Sequence, residues 1–265
     1  MTNLFSCSPA LAAYLIFLTA LLGLAMGSFL NCLAWRLAHG ESVARGRSHC
    51  TACGHILGPL DLIPVFSWLF LQGRCRYCGE KISPRYPAAE LLAALVYLTV
   101  VWKCGLSLDT LRFLLLFSLL LALSLVDLEV GLIPDRLLVA GGLGWLLLAL
   151  PDSERSALLL RGGLGAAALF VPMLLLVLTA DHLAGRETMG GGDLKLLALL
   201  GLYFGWQQGL LLLIFSCLLG LGLATLLGKA KPGTAFPFGP ALAAAAWLVF
   251  LVGEPILTWY FSLFF

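Results

Sequence analysis

The chain has 265 residues, of which 61% are hydrophobic and only 11% are charged. Soluble domains carry about 25% charged residues, so this composition excludes an ordinary soluble protein and predicts an all-α protein that crosses a membrane several times. The net charge of +2 is too small to favour nucleic acid as a partner. We expect the protein to contact membrane lipid.

The first predicted element is a transmembrane helix over residues 11–37, in a first segment that covers residues 1–37. This apolar run lacks a preceding basic region and is longer than the apolar part of a signal peptide, so we interpret it as a retained anchor. Gly23, Gly27 and Ser28 lie within it. Such small residues are typical of a helix face that packs closely against another helix.

Residues 38–87 are polar, basic and rich in cysteine, proline and glycine, which predicts a small extramembranous domain between the first two spans. The segment contains two Cys-x-x-Cys pairs separated by 21 residues, namely Cys50, Cys53, Cys75 and Cys78. This spacing is close to that of a zinc ribbon, and a structural Zn²⁺ bound by four thiolates would stabilise a segment that has too few apolar residues to form its own core. Two disulfides are the alternative, and His49 and His55 are the alternative ligands.

Seven further spans are predicted in the remaining segment, residues 88–265, which makes about eight transmembrane helices in all. They cover residues 88–103, 110–127, 134–150, 158–180, 194–205, 207–228 and 236–262. The span 194–205 is short for a full crossing, and the sequence Gly-Trp-Gln-Gln-Gly interrupts the apolar pattern at residues 205–209. We expect this span and the next to form a tight hairpin or a tilted half-crossing.

The distribution of lysine and arginine predicts the orientation. If residues 38–87 face the cytoplasm, then all of the 16 lysines and arginines lie on that side except Lys103, Arg112, Arg155 and Arg161. Positively charged segments remain preferentially on the cytoplasmic side. We therefore expect a cytoplasmic loop 38–87, whose reducing surroundings favour a metal site over disulfides.

Two acids stand out because each lies at the end of an apolar run, where a carboxylate is costly unless it faces protein or water. Asp193 follows three glycines, and Asp127 ends the third span. Two crossings separate these acids, so both are expected at the cytoplasmic face. Glu129 and Asp135 compete for the role of Asp127, although Asp135 follows a proline and also fits an acid that stabilises a helix N-terminus.

Two carboxylates that lie close together in a poorly solvated site share a proton. The ionised member can take a proton from water that attacks a peptide carbonyl, while the protonated member polarises the carbonyl oxygen. The glycines before Asp193 allow a peptide to approach, so the pattern favours an aspartyl protease. Two alternatives stay open: interfacial acids that cap helices or pair with Arg136 and Lys195, and an ion-coupled transporter or assembly scaffold.

These motifs, in this order, resemble those of the bacterial type IV prepilin peptidases, which are bifunctional leader peptidases and N-methyltransferases of the GxGD aspartyl protease type. The resemblance is carried by Gly27-Ser-Phe-Leu-Asn31, Arg47-Ser-His-Cys-Thr-Ala-Cys-Gly-His55, Gly73-Arg-Cys-Arg-Tyr-Cys-Gly79, Ile82-Ser-Pro-Arg-Tyr-Pro87 with Glu90, Asp127 with Ile133-Pro-Asp135, Gly190-Gly-Gly-Asp-Leu-Lys-Leu196 and Pro237-Phe-Gly-Pro240.

The resemblance implies that the chain removes the leader peptide of prepilins or pseudopilins at the cytoplasmic face of the bacterial inner membrane. It implies that the chain then N-methylates the new N-terminal residue with S-adenosylmethionine. Asp127 and Asp193 are the implied catalytic pair, the four loop cysteines are the implied ligands of Zn²⁺, and Glu90 is the implied cofactor-binding residue of the methyltransferase. Pilus or type II secretion assembly proteins are the implied partners.

The S-adenosylmethionine site rests on the resemblance alone, because the sequence has no strand–glycine–helix pattern typical of soluble nucleotide-binding folds. A protease without methylation is the narrower alternative. The retained cysteine loop disfavours it, since family members without methyltransferase activity commonly lack that loop.

Overall fold

The computed structural model describes residues 8–43, 45–186, 188–226 and 237–263. This part of the chain is helical, and its β-type pairing is limited to two isolated bridges. The helices in chain order are α1 Pro9–Ala38, α2 Phe66–Phe70, α3 Arg85–Cys104, α4 Leu108–Val130, α5 Asp135–Ala149, α6 Arg155–Ala184, α7 Gly191–Leu226 and α8 Gly239–Ser262, with a 3-10 helix, Pro59–Leu62, before α2. The prediction of an all-α protein is confirmed.

Among the described residues, six helices are long and apolar enough to cross a membrane: α1, α3, α4, α6, α7 and α8. The chain is therefore a multi-pass membrane protein. The helix α5 has 15 residues, about 22 Å at 1.5 Å per residue, whereas a hydrocarbon core is about 30 Å thick. The predicted count of eight spans is not confirmed, because α5 and the first part of α7, residues 191–204 before the interruption at Gly205, are both shorter than a full crossing.

The chain folds into two compact units, Met1–Thr110 and Leu111–Phe265. The first unit contains α1 to α3 and the loop that joins α1 to α3. The second contains almost all of α4 together with α5 to α8. The functional division into residues 1–37, 38–87 and 88–265 stays a prediction.

In the first unit, α1 packs against α3 through the glycines that the sequence singled out. A methyl group added at Gly23 would lie 2.5 Å from Ala94 Cα, and one added at Gly27 would lie 2.6 Å from Glu90 Cα. Carbon atoms in favourable contact are about 3.5–4.0 Å apart. These two positions therefore require glycine, and the predicted face of small residues is confirmed there.

In the second unit, α6 and α7 touch along a row of glycines. A methyl group at Gly165 would overlap the backbone of both Gly201 and Gly205, and one at Gly209 would lie 2.8 Å from Leu169 Cδ1. Gly205 also interrupts α7, since it has φ 71° and ψ 179°. This interruption lies in the Gly-Trp-Gln-Gln-Gly segment from which a break was predicted.

The chain reverses its direction at Gly205. The contacts of Gly165 with Gly205 and of Leu169 with Gly209 show that α6 and the second part of α7 run in the same direction. If α7 were straight, its first residue would lie about 45 Å from the end of α6. The connection between them, residues 185–190, can span only about 25 Å. The element is therefore a hairpin of two helices, α7a over residues 191–204 and α7b over residues 206–226.

The helix α5 runs beside α7a in the same direction. The Tyr203 hydroxyl donates a hydrogen bond of 3.0 Å to the Gly141 carbonyl, and Lys195 lies 2.7 Å from Asp135 near the start of both helices. The first turns of α5 and α7a consequently lie at the same end of the second unit.

A buried ion pair ties α4 to α5 at the opposite end. Arg112 is 4% exposed, and its Nη2 donates to Asp152 Oδ2 at 2.6 Å and to the Leu148 carbonyl at 2.8 Å. The N–H of Glu154 and this guanidinium hold the pKa of Asp152 below its usual range. The contact joins the start of α4 to the end of α5, so the end of α4, which carries Asp127, faces the start of α5.

The substitution Gly165→Ala tests the glycine contact between α6 and α7. The added methyl group must displace α7, and such overpacking costs about 1–3 kcal/mol. We expect a lower midpoint of thermal unfolding in detergent. Gly163→Ala is the matched control, because a methyl group there meets no atom within 4 Å and alanine stabilises a helix interior by about 0.5–1 kcal/mol relative to glycine. Equal midpoints for the two variants would contradict this packing.

Candidate active site

Asp127 lies in the last turn of α4. The helix ends where Gly131, at φ 68°, donates its N–H to the Asp127 carbonyl. The residue is 6% exposed, although it is an acid. A negative charge at a helix C-terminus is opposed by the helix dipole, so Asp127 does not stabilise its own helix.

One oxygen of Asp127 has a partner on another helix. Its Oδ2 accepts a hydrogen bond of 2.9 Å from the N–H of Gly239, the first residue of α8. A methyl group at Gly239 would lie 2.8 Å from this oxygen, so only glycine fits there. The sequence predicted no role for Gly239, although this glycine lies within the Pro237-Phe-Gly-Pro240 motif. Asp127 thus caps the N-terminus of α8, because it accepts a hydrogen bond from an N–H that has no partner within that helix. This agrees with the part of the alternative interpretation in which the acids cap helices.

Asp193 is the third residue of α7a. Its Oδ1 is buried and has no hydrogen-bond partner among the described residues. Asp127 lies close enough for its charge to act on Asp193. The second unit thus brings together the two acids that the sequence singled out. A buried polar atom without a partner marks a position that a water molecule or a ligand can fill.

The three glycines before Asp193 have different surroundings. A methyl group at Gly192 would lie 2.8 Å from Ile133 Cβ, so this glycine is required for packing. At Gly191 a methyl group would meet no atom within 4 Å, and at Gly190 it would meet only Asp193 Oδ2, at 3.4 Å. None of the three has a positive φ. Gly190 and Gly191 therefore leave open space beside Asp193, which is the room that a peptide backbone needs.

The competing acids are placed differently. Asp135 forms an ion pair of 2.7 Å with Lys195, and the two side chains are 64% and 54% exposed. Lys195 forms its ion pair with Asp135, which disfavours the alternative in which Lys195 pairs with Asp127 or Asp193. Glu129 follows Asp127 by two residues, about 200° around the helix, so it leaves α4 on another side.

In the first unit, the loop cysteines converge. The sulfur atoms of Cys50, Cys53, Cys75 and Cys78 all lie within 4.8 Å of one another, and Cys50 Sγ is 3.9 Å from Cys78 Sγ. A tetrahedral site with metal–sulfur bonds of about 2.3 Å places its sulfurs about 3.8 Å apart. The four thiols therefore fit a metal ion, and they are not joined in disulfides.

Each Cys-x-x-Cys pair forms the same kind of turn. Gly54, at φ 70°, donates its N–H to the Cys50 carbonyl, and Gly79, at φ 74°, donates its N–H to the Cys75 carbonyl. Both glycines have the left-handed conformation that residues with side chains rarely adopt. The backbone N–H of Cys53 lowers the pKa of the Cys50 thiol to about 7, whereas burial and the neighbouring thiols raise the pKa of the Cys78 thiol.

Asp61 ties the second turn to the start of the 3-10 helix, a role that the sequence did not predict. Its carboxylate accepts hydrogen bonds from Arg76 Nε at 2.7 Å, from the Gly58 N–H at 3.0 Å and from the Tyr77 hydroxyl at 3.1 Å. Burial raises its pKa, but these donors outweigh burial and hold the pKa below its usual range. Tyr77 in turn stacks on His55 at 3.6 Å between ring centroids, so His55 has a packing role in the loop.

Glu90 lies near the start of α3 and is 7% exposed. Its Oε2 accepts a hydrogen bond of 2.7 Å from the N–H of Val65, and the Ser28 side chain also hydrogen-bonds to its carboxylate. Val65 has φ 62° and ψ −51°, an unfavourable conformation for a β-branched residue. Glu90 therefore holds a strained turn before α2, and Ser28 is a polar partner as well as a small residue.

The fold and the paired acids define a multi-pass membrane protein with a candidate hydrolytic site and a separate four-cysteine loop. Two family models match the chain: the Bacterial Peptidase A24 N-terminal domain over residues 21–104 and the Type IV leader peptidase family over residues 114–225. The chain belongs to the type IV leader peptidase family. This assignment decides against the transporter alternative.

Several curated relatives carry the name prepilin leader peptidase/N-methyltransferase. The protein of that name from Pseudomonas putida is 38% identical over 276 residues, which cover 92% of this chain and 93% of that protein. The one from Bacillus subtilis (strain 168) is 34% identical, with coverage of 91% and 96%. The one from Aeromonas hydrophila is 41% identical, with coverage of 82% and 76%. No solved structure matches the chain.

Proposed function

We propose that the chain is a membrane aspartyl protease that removes the leader peptide of type IV prepilins or pseudopilins and then N-methylates the new N-terminal residue. The names of the relatives support both activities. The observation that carries the protease is the buried Oδ1 of Asp193, which has no partner among the described residues and lies within reach of the charge of Asp127. We place this site at the cytoplasmic face of the bacterial inner membrane, where the positive-inside rule puts the ends of α4 and α6.

The proposed reaction uses both acids. Two neighbouring carboxylates in a poorly solvated site do not both ionise, so the pair holds one proton. The ionised acid accepts a proton from water as the water oxygen attacks the carbonyl carbon of the scissile peptide bond, and the protonated acid donates to the carbonyl oxygen. When the tetrahedral intermediate collapses, the carbon–nitrogen bond breaks and a proton moves to the leaving amine. The open space at Gly190 and Gly191 lets the substrate backbone reach the pair.

The N–H of Gly239 orients Asp127 during these steps. A carboxylate fixed by a backbone donor keeps one oxygen in place, and the other oxygen remains for the water or the substrate. The substrates are the partners proposed here, and assembly proteins of the pilus or of a type II secretion system are further proposed partners.

Asp127→Asn and Asp193→Asn test the catalytic pair. An amide can neither accept the proton from water nor share the proton between the two side chains, so we expect either variant to slow leader cleavage by at least about 10²-fold. The measurement follows leader removal from a prepilin in detergent or membranes by mass spectrometry. Methylation of a substrate that has already been cleaved should persist in both variants.

Asp135→Asn is the matched control, because Asp135 lies near the pair but forms an exposed ion pair with Lys195. Exposed pairs contribute about 0–1 kcal/mol, so this variant should fold and cleave like the unaltered protein. Cleavage at the unaltered rate by a folded Asp127→Asn or Asp193→Asn variant would contradict the proposed pair.

We also propose that the metal of the cysteine loop is a structural Zn²⁺. A site with four thiolate ligands leaves no open position for water, so the metal would hold the loop rather than take part in catalysis. The two matching turns, each closed by a glycine, and the sulfur separations support this assignment.

Metal analysis of the purified protein tests the zinc site. We expect one zinc per chain, loss of the zinc in Cys78→Ser, and faster proteolysis within residues 45–85 when zinc is absent. Cys217→Ser is the control, since Cys217 lies outside the cluster and is exposed. A chain without zinc whose loop thiols are blocked as disulfides would contradict the assignment.

For methyl transfer, we propose that Glu90 acts within the methyltransferase site. S-adenosylmethionine would supply the methyl group to the neutral α-amine exposed by cleavage, with release of S-adenosylhomocysteine and a proton. The carboxylate of Glu90 holds the turn at Val65 and so sets the position of the chain that leads into α2. This hydrogen bond supports an indirect contribution of Glu90, through the loop, to binding of the methyl donor.

A further inference from the structure

The loop between α1 and α3 carries an exposed apolar surface that neither proposed reaction explains. Six large side chains form it, and we call them the 60–70 patch: Leu60, Leu62, Ile63, Phe66, Leu69 and Phe70. Phe70 is 84% exposed and Leu60 is 68% exposed. The patch lies on the 3-10 helix, α2 and the turn between them. A group of exposed large apolar side chains is typical of an interaction site.

The length of α3 indicates the depth of the patch in the membrane. Helix α3 has 20 residues, about 30 Å, which matches the thickness of a hydrocarbon core, so its first residue, Arg85, lies near the boundary. Glu90 lies about 7 Å further along α3. Because Glu90 binds the N–H of Val65, the backbone between Ile63 and Phe66 is held at the depth of the first turns of α3.

Other parts of the same loop lie further from the centre of the membrane. Gly27 of α1 is packed against Glu90, and α1 continues for 11 residues, about 16 Å, to Ala38. The guanidinium of Arg36 near this end donates a hydrogen bond of 3.4 Å to the Val43 carbonyl. Val43 is therefore held well above the level of Glu90, although it is also an exposed apolar residue of the loop.

The charge of the loop complements a lipid surface. Residues 38–87 contain six lysines and arginines against three acids. The cytoplasmic leaflet is anionic and attracts basic residues next to the membrane.

We propose that the 60–70 patch docks into the boundary between the headgroups and acyl chains of the leaflet that adjoins α1 and α3, with Phe66 and Phe70 as its deepest side chains. The occupant of the surface is lipid. A short apolar segment beside basic residues binds membranes in this way when it is held in the plane of the interface. The docking keeps the cysteine loop against the membrane surface and does not depend on the proposed catalytic activity.

Photocrosslinking tests the docking directly. The full-length protein is placed in nanodiscs of phosphatidylethanolamine and phosphatidylglycerol, with p-benzoylphenylalanine at position 66, 70 or 43 and an added prepilin. We expect lipid adducts at positions 66 and 70. We expect none at position 43, which is the exposed apolar control. Prepilin adducts in place of lipid adducts at 66 and 70, no adducts there, or equal lipid labelling at 43 would each overturn the proposal.

Hydroxyl-radical footprinting of the unaltered protein is a second test of the docking, and it does not require any variant to fold. Hydroxyl radicals should spare Phe66 and Phe70 in the nanodisc, although both are exposed on the protein surface, and should modify Tyr77, which is 48% exposed in the same loop. Modification of Phe70 as strong as that of Tyr77 would show an open surface and overturn the proposal.

Discussion

The second unit brings two poorly solvated carboxylates, those of Asp127 and Asp193, within reach of each other's charge. Each carboxylate loses hydration on burial, and the two would repel each other if both were ionised, so the surrounding helices must hold both in place. Asp127 is held by the first N–H of α8, and Asp193 lies in the first turn of α7a. The hairpin at Gly205 makes this possible, because it returns the chain along α6 and lets α8 begin beside the end of α4. The close glycine contacts between α6 and α7 stabilise that reversal.

The loop of the first unit is stabilised in a different way. It has few buried apolar residues. The carboxylate of Asp61 cross-links it through hydrogen bonds, and a metal ion bound by the four thiols would add a further cross-link in place of a hydrophobic core. Glu90 joins this loop to α3 by binding the strained turn at Val65. Strain of this kind persists only where neighbouring contacts enforce it. The same contact sets the height of the 60–70 patch, so one buried acid links loop conformation to the membrane surface.

The sequence predicted the features that depend on composition and short-range pattern. The helical membrane class and the four converging cysteines follow from apolar runs and ligand spacing, and the expectation that Asp127 and Asp193 share one end of the helices follows from the number of crossings between them. The contacts of Asp127 with Gly239, of Glu90 with Val65 and of Asp61 with Arg76 did not follow, because each joins distant segments whose approach is decided by tertiary packing. The bounds of α5 were predicted to within one residue at each end, since the expected span was 134–150 and the helix covers Asp135–Ala149.

We propose that Asp127 and Asp193 act as one unit on a peptide bond. The most direct test is the affinity of a leader peptide whose scissile amide is replaced by a hydroxyethylene group, compared with the same peptide without the hydroxyl. The hydroxyl mimics the tetrahedral intermediate, so it should strengthen binding to the unaltered protein. The account predicts that Asp127→Asn and Asp193→Asn each abolish this gain, and that the double variant loses no more than either single variant. A gain that survives in either folded single variant would contradict the account.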